Sequence, residues 1–136
     1  MAANAVGFTS GFTSFAVPDA DEAKKFYQET LGLEVRDEMM GMLRLVLPGG
    51  TNVLVYPKED HQPAGYTILN FSVPNIDDAV DQLTAAGVRF EKYDGFNQDE
   101  KGIARPESEE QGPPIAWFTD PGGNVIGVME GAPPEM

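Results

Sequence analysis

The 136-residue chain has no cysteine and a single histidine, His61. Without cysteine it can form neither a disulfide nor a thiolate-based zinc or iron–sulfur site, and with one histidine it cannot offer two imidazoles to a metal. Basic residues are also few, because nine Lys and Arg stand against 22 Asp and Glu, a formal net charge of −13. Nucleic acids are bound by neutralising phosphates with Lys and Arg, so we expect no nucleic-acid partner.

Long apolar runs are absent as well. No stretch approaches the roughly 18 apolar residues of a transmembrane helix, and residues 1–8 lack the basic and apolar segments of a secretory signal. The composition, with 41% hydrophobic and 23% charged residues, is that of a globular domain. We therefore expect one cytoplasmic domain over residues 1–136, with no membrane partner.

The chain repeats itself at an offset of 56 residues. Residues 15–23 (FAVPDADEA) align with residues 71–79 (FSVPNIDDA), and in each copy Val-Pro ends a predicted strand and precedes a predicted helix. Asp19 and Asn75 occupy the N-cap positions, each with an acidic residue three positions later. The two halves therefore share one plan.

Each predicted helix ends at a glycine, Gly32 or Gly87, and strand-like segments follow. These segments are residues 33–36, 42–47 and 51–56 in the first half, and 88–93, 114–119 and 125–130 in the second. Turn sequences at 48–50 and 120–124 join the last two strands of each half. The pattern predicts an α+β fold of two tandem βαβββ modules, over about residues 8–56 and 66–131, with a linker at 57–65.

Two polar segments lie outside the repeated plan. Residues 95–113, called the insert below, form a long loop, and loops of this length are usually either lids over a site or disordered. The sequence leaves both interpretations open. The linker carries His61, which we interpret as a surface residue because a lone histidine in a polar linker is seldom part of a site.

The opening motif FxVPDxxxAxxFYxxxLGLE (residues 15–34) and the closing motif IAWFTDPGGNVI (residues 115–126) resemble those of the vicinal oxygen chelate superfamily. This is the glyoxalase, bleomycin-resistance and extradiol dioxygenase group, and the resemblance covers about residues 8–131. It implies two modules whose sheets form a cleft, commonly completed across a homodimer. In the enzymes of the group, His, Glu or Gln from the first and last strands of each module hold a divalent ion that acts as a Lewis acid.

The metal-ligand positions implied by the resemblance carry no donor atoms in this sequence. They fall at Phe12, Val55, Ile68 and Gly127. Their neighbours two residues away on the strands are Ser14, Val53, Asn70 and Met129. Because divalent transition metals require imidazole or carboxylate here, we expect no metal and no other cofactor.

A member without metal ligands resembles the bleomycin-resistance proteins. The resemblance then implies a metal-independent protein, not an enzyme, that sequesters a cationic or amphipathic small molecule in an aromatic-lined cleft of a homodimer. The acidic surface suits a cationic ligand. The expected ligand-binding residues are Phe12, Ser14, Tyr56, Ile68, Asn70 and Trp117. Phe96 and Tyr66 are further candidates for stacking on a ligand.

Two other functions stay open. One is a glyoxalase-like lyase or isomerase, or a dioxygenase-related enzyme, with a divalent metal on the non-standard ligands Glu130, Glu38 or His61. The other is a structural or regulatory domain whose cleft is filled by Phe12 and Ile68. Trp117 also has two interpretations, because alternation along its strand does not say which face is the core.

Overall fold

The computed structural model describes residues 6–108, 110 and 112–131. Within these residues, seven strands and two α-helices follow one another in two similar series, and a short 3-10 turn at Met39–Gly41 lies in the first. The first series is β1 (Thr13–Val17), α1 (Ala20–Lys25), β2 (Glu34–Asp37), β3 (Leu43–Val46) and β4 (Asn52–Pro57). The second is β5 (Thr67–Val73), α2 (Ile76–Ala85), β6 (Ile115–Thr119) and β7 (Val125–Glu130).

Each series builds one sheet. Sheet 1 has the strand order β1–β4–β3–β2, and sheet 2 has the order β5–β7–β6. The first strand of each series is parallel to the last, whereas the remaining pairs are antiparallel. The predicted α+β fold is confirmed, with one difference in sheet 2. The segment predicted as a strand over 88–93 contributes only a bridge between Phe90 and Phe118.

Both helices begin and end where the sequence predicts. Asp19 and Asn75 are the N-caps, and their side-chain oxygens accept from the backbone N–H three residues on, at 3.1 and 3.0 Å. The first helix continues as a π-helical turn over Phe26–Thr30. Gly32 and Gly87, with φ of 71° and 99°, then reverse the chain in a conformation that favours glycine. Among the described residues, no helix has the length and apolar character needed to cross a membrane.

The main core lies between the helices and both sheets. Tyr27 packs in it with Phe15 of sheet 1, while Phe26 contacts Phe118 of sheet 2. Alternate strand residues supply the rest, including Leu45, Val53, Val55, Leu69, Ile126 and Val128. Because the inner faces of both sheets share this one cluster, their opposite faces point away from it. We call these opposite faces the open faces of sheet 1 and sheet 2.

The turn between β6 and β7 ties the two sheets together. Oδ1 of buried Asp120 accepts from the backbone N–H groups of Gly122 and Asn124, both at 2.9 Å, and Oδ2 accepts from the Tyr27 hydroxyl at 2.6 Å. Nδ2 of Asn124 donates to the carbonyl of Ala16 in β1 at 2.9 Å. The glycine-rich turn at residues 120–124 therefore has a structural role, which is to connect the two halves of the chain.

The described residues of the insert pack onto the second half of the chain. Ile103 is fully buried in a small cluster with Ile76 of α2. Arg105 and Lys101 both reach Asp77 in the first turn of α2, with nitrogen–oxygen distances of 2.7 and 3.5 Å. The insert is thus held against α2 and β6 rather than extended into solvent.

Candidate functional site

The open face of sheet 1 carries one row of side chains in register. Ser14, Leu54, Arg44 and Arg36 lie opposite one another across β1, β4, β3 and β2. Val55, the position that the motif assigned to this face, is instead fully buried in the core. Adjacent strand residues point to opposite faces, so a one-residue error in the register of β4 exchanges Val55 for Leu54.

A cavity of about 710 Å³ opens on this face. It is lined by Ser10, Gly11, Phe12, Thr13, Glu38, Arg44, Gly50, Thr51, Asn52, Val53 and Leu54. Phe12 remains 72% exposed, so its ring lines the cavity instead of filling the cleft. Of the residues predicted for this side of the site, Phe12 lines the cavity, Ser14 lies in the neighbouring row, and Tyr56 lies beside Ala16, 37% exposed.

The charged side chains of this face form two ion pairs. An Nη atom of Arg44 contacts Oε2 of Glu38 within the cavity lining. Beside it, Nε of Arg36 lies 2.5 Å from Oε2 of Glu34. The four side chains together are electrically neutral, although the chain as a whole is strongly acidic.

On sheet 2, Asn70, Gly127 and Trp117 form the corresponding row across β5, β7 and β6. A Cβ on Gly127 would clash with the carboxamide oxygen of Asn70. Any larger residue at this position would require the Asn70 side chain to move. Gly127 thus serves close packing on this face and offers no donor to a metal.

Trp117 lies on the open face, which answers the question that its sequence left open. Its neighbours Ala116 and Phe118 point to the two buried clusters. Its ring is covered by Tyr93 and by Phe96 of the insert, with ring-centroid distances of 5.7 and 4.9 Å. Burial, and secondarily the charge of Glu91, raises the pKa of the Tyr93 hydroxyl. Tyr93 was not among the residues predicted for this site, although its alternation with Glu91 in the segment 88–93 was a usable signal.

Ile68 lies at an irregular part of β5, and its side chain is turned towards the main core. The pairing of β5 with β7 is irregular between Thr67 and Leu69, and the half-buried side chain of Ile68 packs against the main core. The predicted ligand-binding residues therefore separate into two half-sites. Phe12, Ser14 and Tyr56 belong to sheet 1, whereas Asn70 and Trp117 belong to sheet 2.

These residues do not fit the divalent ion of the superfamily's enzymes. Among the described residues, no group of three or more His, Asp or Glu side chains is placed to hold a metal. The non-standard metal ligands suggested by the sequence do not come together, and both glutamates have other partners. Oε1 of Glu130 accepts from the backbone N–H of Ile76 at 3.1 Å, and Glu38 pairs with Arg44.

His61 differs from its expected place on the surface. It is half-buried, with its ring beside Gly122 of the β6–β7 turn. Its Nε2 atom is buried and has no hydrogen-bond partner within the described part of the chain. The ring packs against the structural turn and not on either half-site.

The family model of the Glyoxalase/Bleomycin resistance protein/Dioxygenase superfamily matches residues 9–128. The chain therefore belongs to this superfamily, as its two motifs indicated. Comparison with curated proteins yields no match for the sequence.

Solved structures agree in fold and differ in the function that their names carry. A superfamily member from Sphaerobacter thermophilus is 28% identical, with a TM-score of 0.63 over 90% of this chain and 98% of that chain. The fosfomycin resistance protein FosX from Listeria monocytogenes is 16% identical, with a TM-score of 0.66 over 92% and 96%. Lactoylglutathione lyase from Agrobacterium tumefaciens is 18% identical, with a TM-score of 0.64 over 92% and 96%. Because one fold carries such different functions, the chemistry of the site must decide among them.

Proposed function

We propose that the protein is a metal-independent binding protein of the bleomycin-resistance type, which sequesters a small amphipathic or cationic molecule on its open faces. The cavity beside Phe12 carries the proposal. Its volume of about 710 Å³ lies within the range of small-molecule sites, roughly 300–1,000 Å³. The exposed ring of Phe12 and the side chain of Leu54 provide apolar contact, and Asn52 provides a polar group.

The residues at the ligand positions support metal-independent binding. Phe12, Val55, Ile68 and Gly127, the metal-ligand positions that the resemblance implies, carry no side-chain oxygen or nitrogen. Leu54, which lies on the open face where Val55 was expected, carries none either. The remaining functional groups nearby suit hydrogen bonding and stacking on an organic molecule, not the binding of a transition metal.

A homodimer completes the site in this proposal. Several large apolar side chains are 37% to 83% exposed, namely Phe12, Met39, Met40, Tyr56, Tyr66 and Phe96. A second copy covering the open faces would bury such side chains and set the half-site of sheet 1 against the half-site of sheet 2 of the partner.

The binding proposal is tested with three probes that have alkyl chains of similar length and different headgroups. Octanoate, octyltrimethylammonium and octyl glucoside are titrated below their micelle-forming concentrations while the thermal unfolding midpoint is followed. We expect a saturable rise with at least one probe, because a ligand that binds only the folded state stabilises it. Phe12→Ala should weaken that binding about fivefold, since it removes the apolar contact face.

Phe8→Ala is the matched control, because Phe8 is as exposed as Phe12 but does not line the cavity. The proposal is wrong if no probe gives a saturable shift, or if Phe12→Ala leaves the shift unchanged. Metal independence is tested by elemental mass spectrometry after incubation with Zn, Ni, Mn and Fe(II) and desalting. We expect less than about 0.1 equivalent of metal per chain, and a full equivalent would contradict the proposal.

A further inference from the structure

Two arginines lie directly opposite each other on the open face of sheet 1. Arg36 in β2 and Arg44 in β3 are partners in the antiparallel register. The flanking residues Val35, Leu43 and Leu45 are buried in the core, so strand alternation places both guanidinium groups on the open face. The chain has only four arginines, and half of them are in this pair.

Like charges opposite each other destabilise a pair of strands unless something compensates them. Here one nitrogen of each guanidinium contacts a carboxylate, that of Glu34 or Glu38. A guanidinium carries five N–H donors, and one carboxylate engages at most two of them side by side. The pair therefore retains capacity for a further anionic acceptor.

The cavity places this positive charge beside an apolar wall. Arg44 and Glu38 line one part of it, and Phe12 and Leu54 line another. Leu54 lies directly opposite Arg44 in the register of β3 and β4. A ligand that touches both parts needs an anionic group joined to a short apolar body.

We infer that the cavity binds a small amphipathic anion, whose carboxylate or similar headgroup is held by Arg44 with Arg36 beside it and whose apolar part lies against Phe12 and Leu54. This inference rests on the proposed function and specifies its ligand class. A cation should bind this cavity more weakly than an anion, because both nearby carboxylates are already paired with arginine. Glu38 competes with the ligand headgroup for Arg44.

The test compares octanoate with octyltrimethylammonium by isothermal titration calorimetry. We expect octanoate to bind about tenfold more tightly, as one charge-assisted interaction supplies. Arg44→Gln should weaken octanoate about tenfold, whereas Arg44→Lys, which keeps the charge, should lose less. Arg89→Gln is the matched control, because Arg89 is exposed and lines a different pocket, beside α2.

Glu38→Gln separates the two ligand classes most sharply. It removes the carboxylate that competes for Arg44, so octanoate should bind several-fold more tightly to this variant, whereas a cation-binding cavity would lose affinity. Tighter binding of the cationic probe, or weaker octanoate binding by Glu38→Gln, overturns the inference and leaves the binding function standing. Saturable binding of none of the probes overturns both. Arg44 and Glu38 are partly exposed, and thermal unfolding of each variant verifies that it folds.

Discussion

At the scale of single residues, the buried pair of Tyr27 and Asp120 joins the two halves of the chain by a hydrogen bond. The Tyr27 ring is fully buried, and its hydroxyl donates to Asp120 at 2.6 Å. Asp120 in turn orders the β6–β7 turn, from which Asn124 donates to β1. One hydrogen bond thus links α1 and its π-helical turn in the first half to a turn in the second.

Tyr27→Phe should lower the free energy of unfolding by about 1–3 kcal/mol, because it removes a buried donor to a charged acceptor while keeping the ring. Urea denaturation followed by circular dichroism measures the change. Tyr66→Phe, at a position 72% exposed, should change stability by less than about 0.5 kcal/mol. Equal effects of the two substitutions would show that the hydrogen bond is unimportant.

The buried hydroxyl of Tyr27 also makes us expect the folded protein to lose stability at alkaline pH. Burial, then the charge of Asp120 and the hydrogen bond to it, raises the pKa of Tyr27 far above its ordinary value of 10.0. When a group has a higher pKa in the folded protein than in the unfolded protein, its contribution to stability is complete at any pH below the unfolded pKa. For Tyr27 that contribution is lost as the pH rises past about 10, by about 1.4 kcal/mol per pH unit.

Between about pH 10 and 11.5, stability of the wild type should therefore fall more steeply than that of Tyr27→Phe. Chemical denaturation at several pH values measures both slopes. Tyr93, whose pKa is also raised, is present in both proteins and cancels in the comparison. Parallel slopes would contradict the prediction.

At the scale of elements, the side chain of Gln98 holds the first part of the insert in place. Gln98 accepts from the backbone N–H of Tyr93 at 2.7 Å and donates to the carbonyls of Glu91 and Gly102 at 2.9 and 2.7 Å. Phe96, two residues earlier, covers Trp117. The side chain of Gln98 therefore fixes the loop that shields the tryptophan on the open face.

Gln98→Ala should expose Trp117 and move its fluorescence emission to longer wavelength, with a cost of about 1–2 kcal/mol in stability. Trp117 is the only tryptophan of the chain, so the emission reports on this contact alone. Asn97→Ala is the neighbouring control, at an exposed residue of the same loop, and should leave the emission unchanged. An unaltered spectrum for Gln98→Ala would show that the insert does not depend on this side chain.

At the scale of the whole molecule, the formal charge of −13 opposes the association of two copies. We expect a homodimer in solution, with about twice the chain mass of 14.7 kDa by size-exclusion chromatography with light scattering. Two acidic copies repel each other over a distance that salt shortens, so the dimer should strengthen as NaCl rises from about 20 to 300 mM. A monomer mass at about 100 μM protein and 300 mM salt would contradict this prediction.

How much of this could be read from the sequence depends on the range of the interactions. The N-caps Asp19 and Asn75 and the helix-ending Gly32 and Gly87 act within a few residues, and each is found as predicted. Which face of its sheet Val55 or Trp117 occupies depends on strand pairing with distant partners. The motif therefore placed Val55 on the wrong face and did not decide the face of Trp117. The segment 88–93 has a strand pattern, but Gln98 takes up the backbone N–H of Tyr93 in place of a neighbouring strand.

By itself, the sequence determined the repeated plan of the two modules apart from the segment 88–93, the caps and turns that bound their elements, and the lack of donor atoms at the metal-ligand positions that the resemblance implies. These features follow from residue types and short spacings, which local sterics and hydrogen bonding translate directly into structure. The tertiary structure decided which residues share a face, where the insert packs, and that two arginines meet beside an apolar cavity. Such pairings join segments that are far apart along the chain, and no local pattern specifies their register.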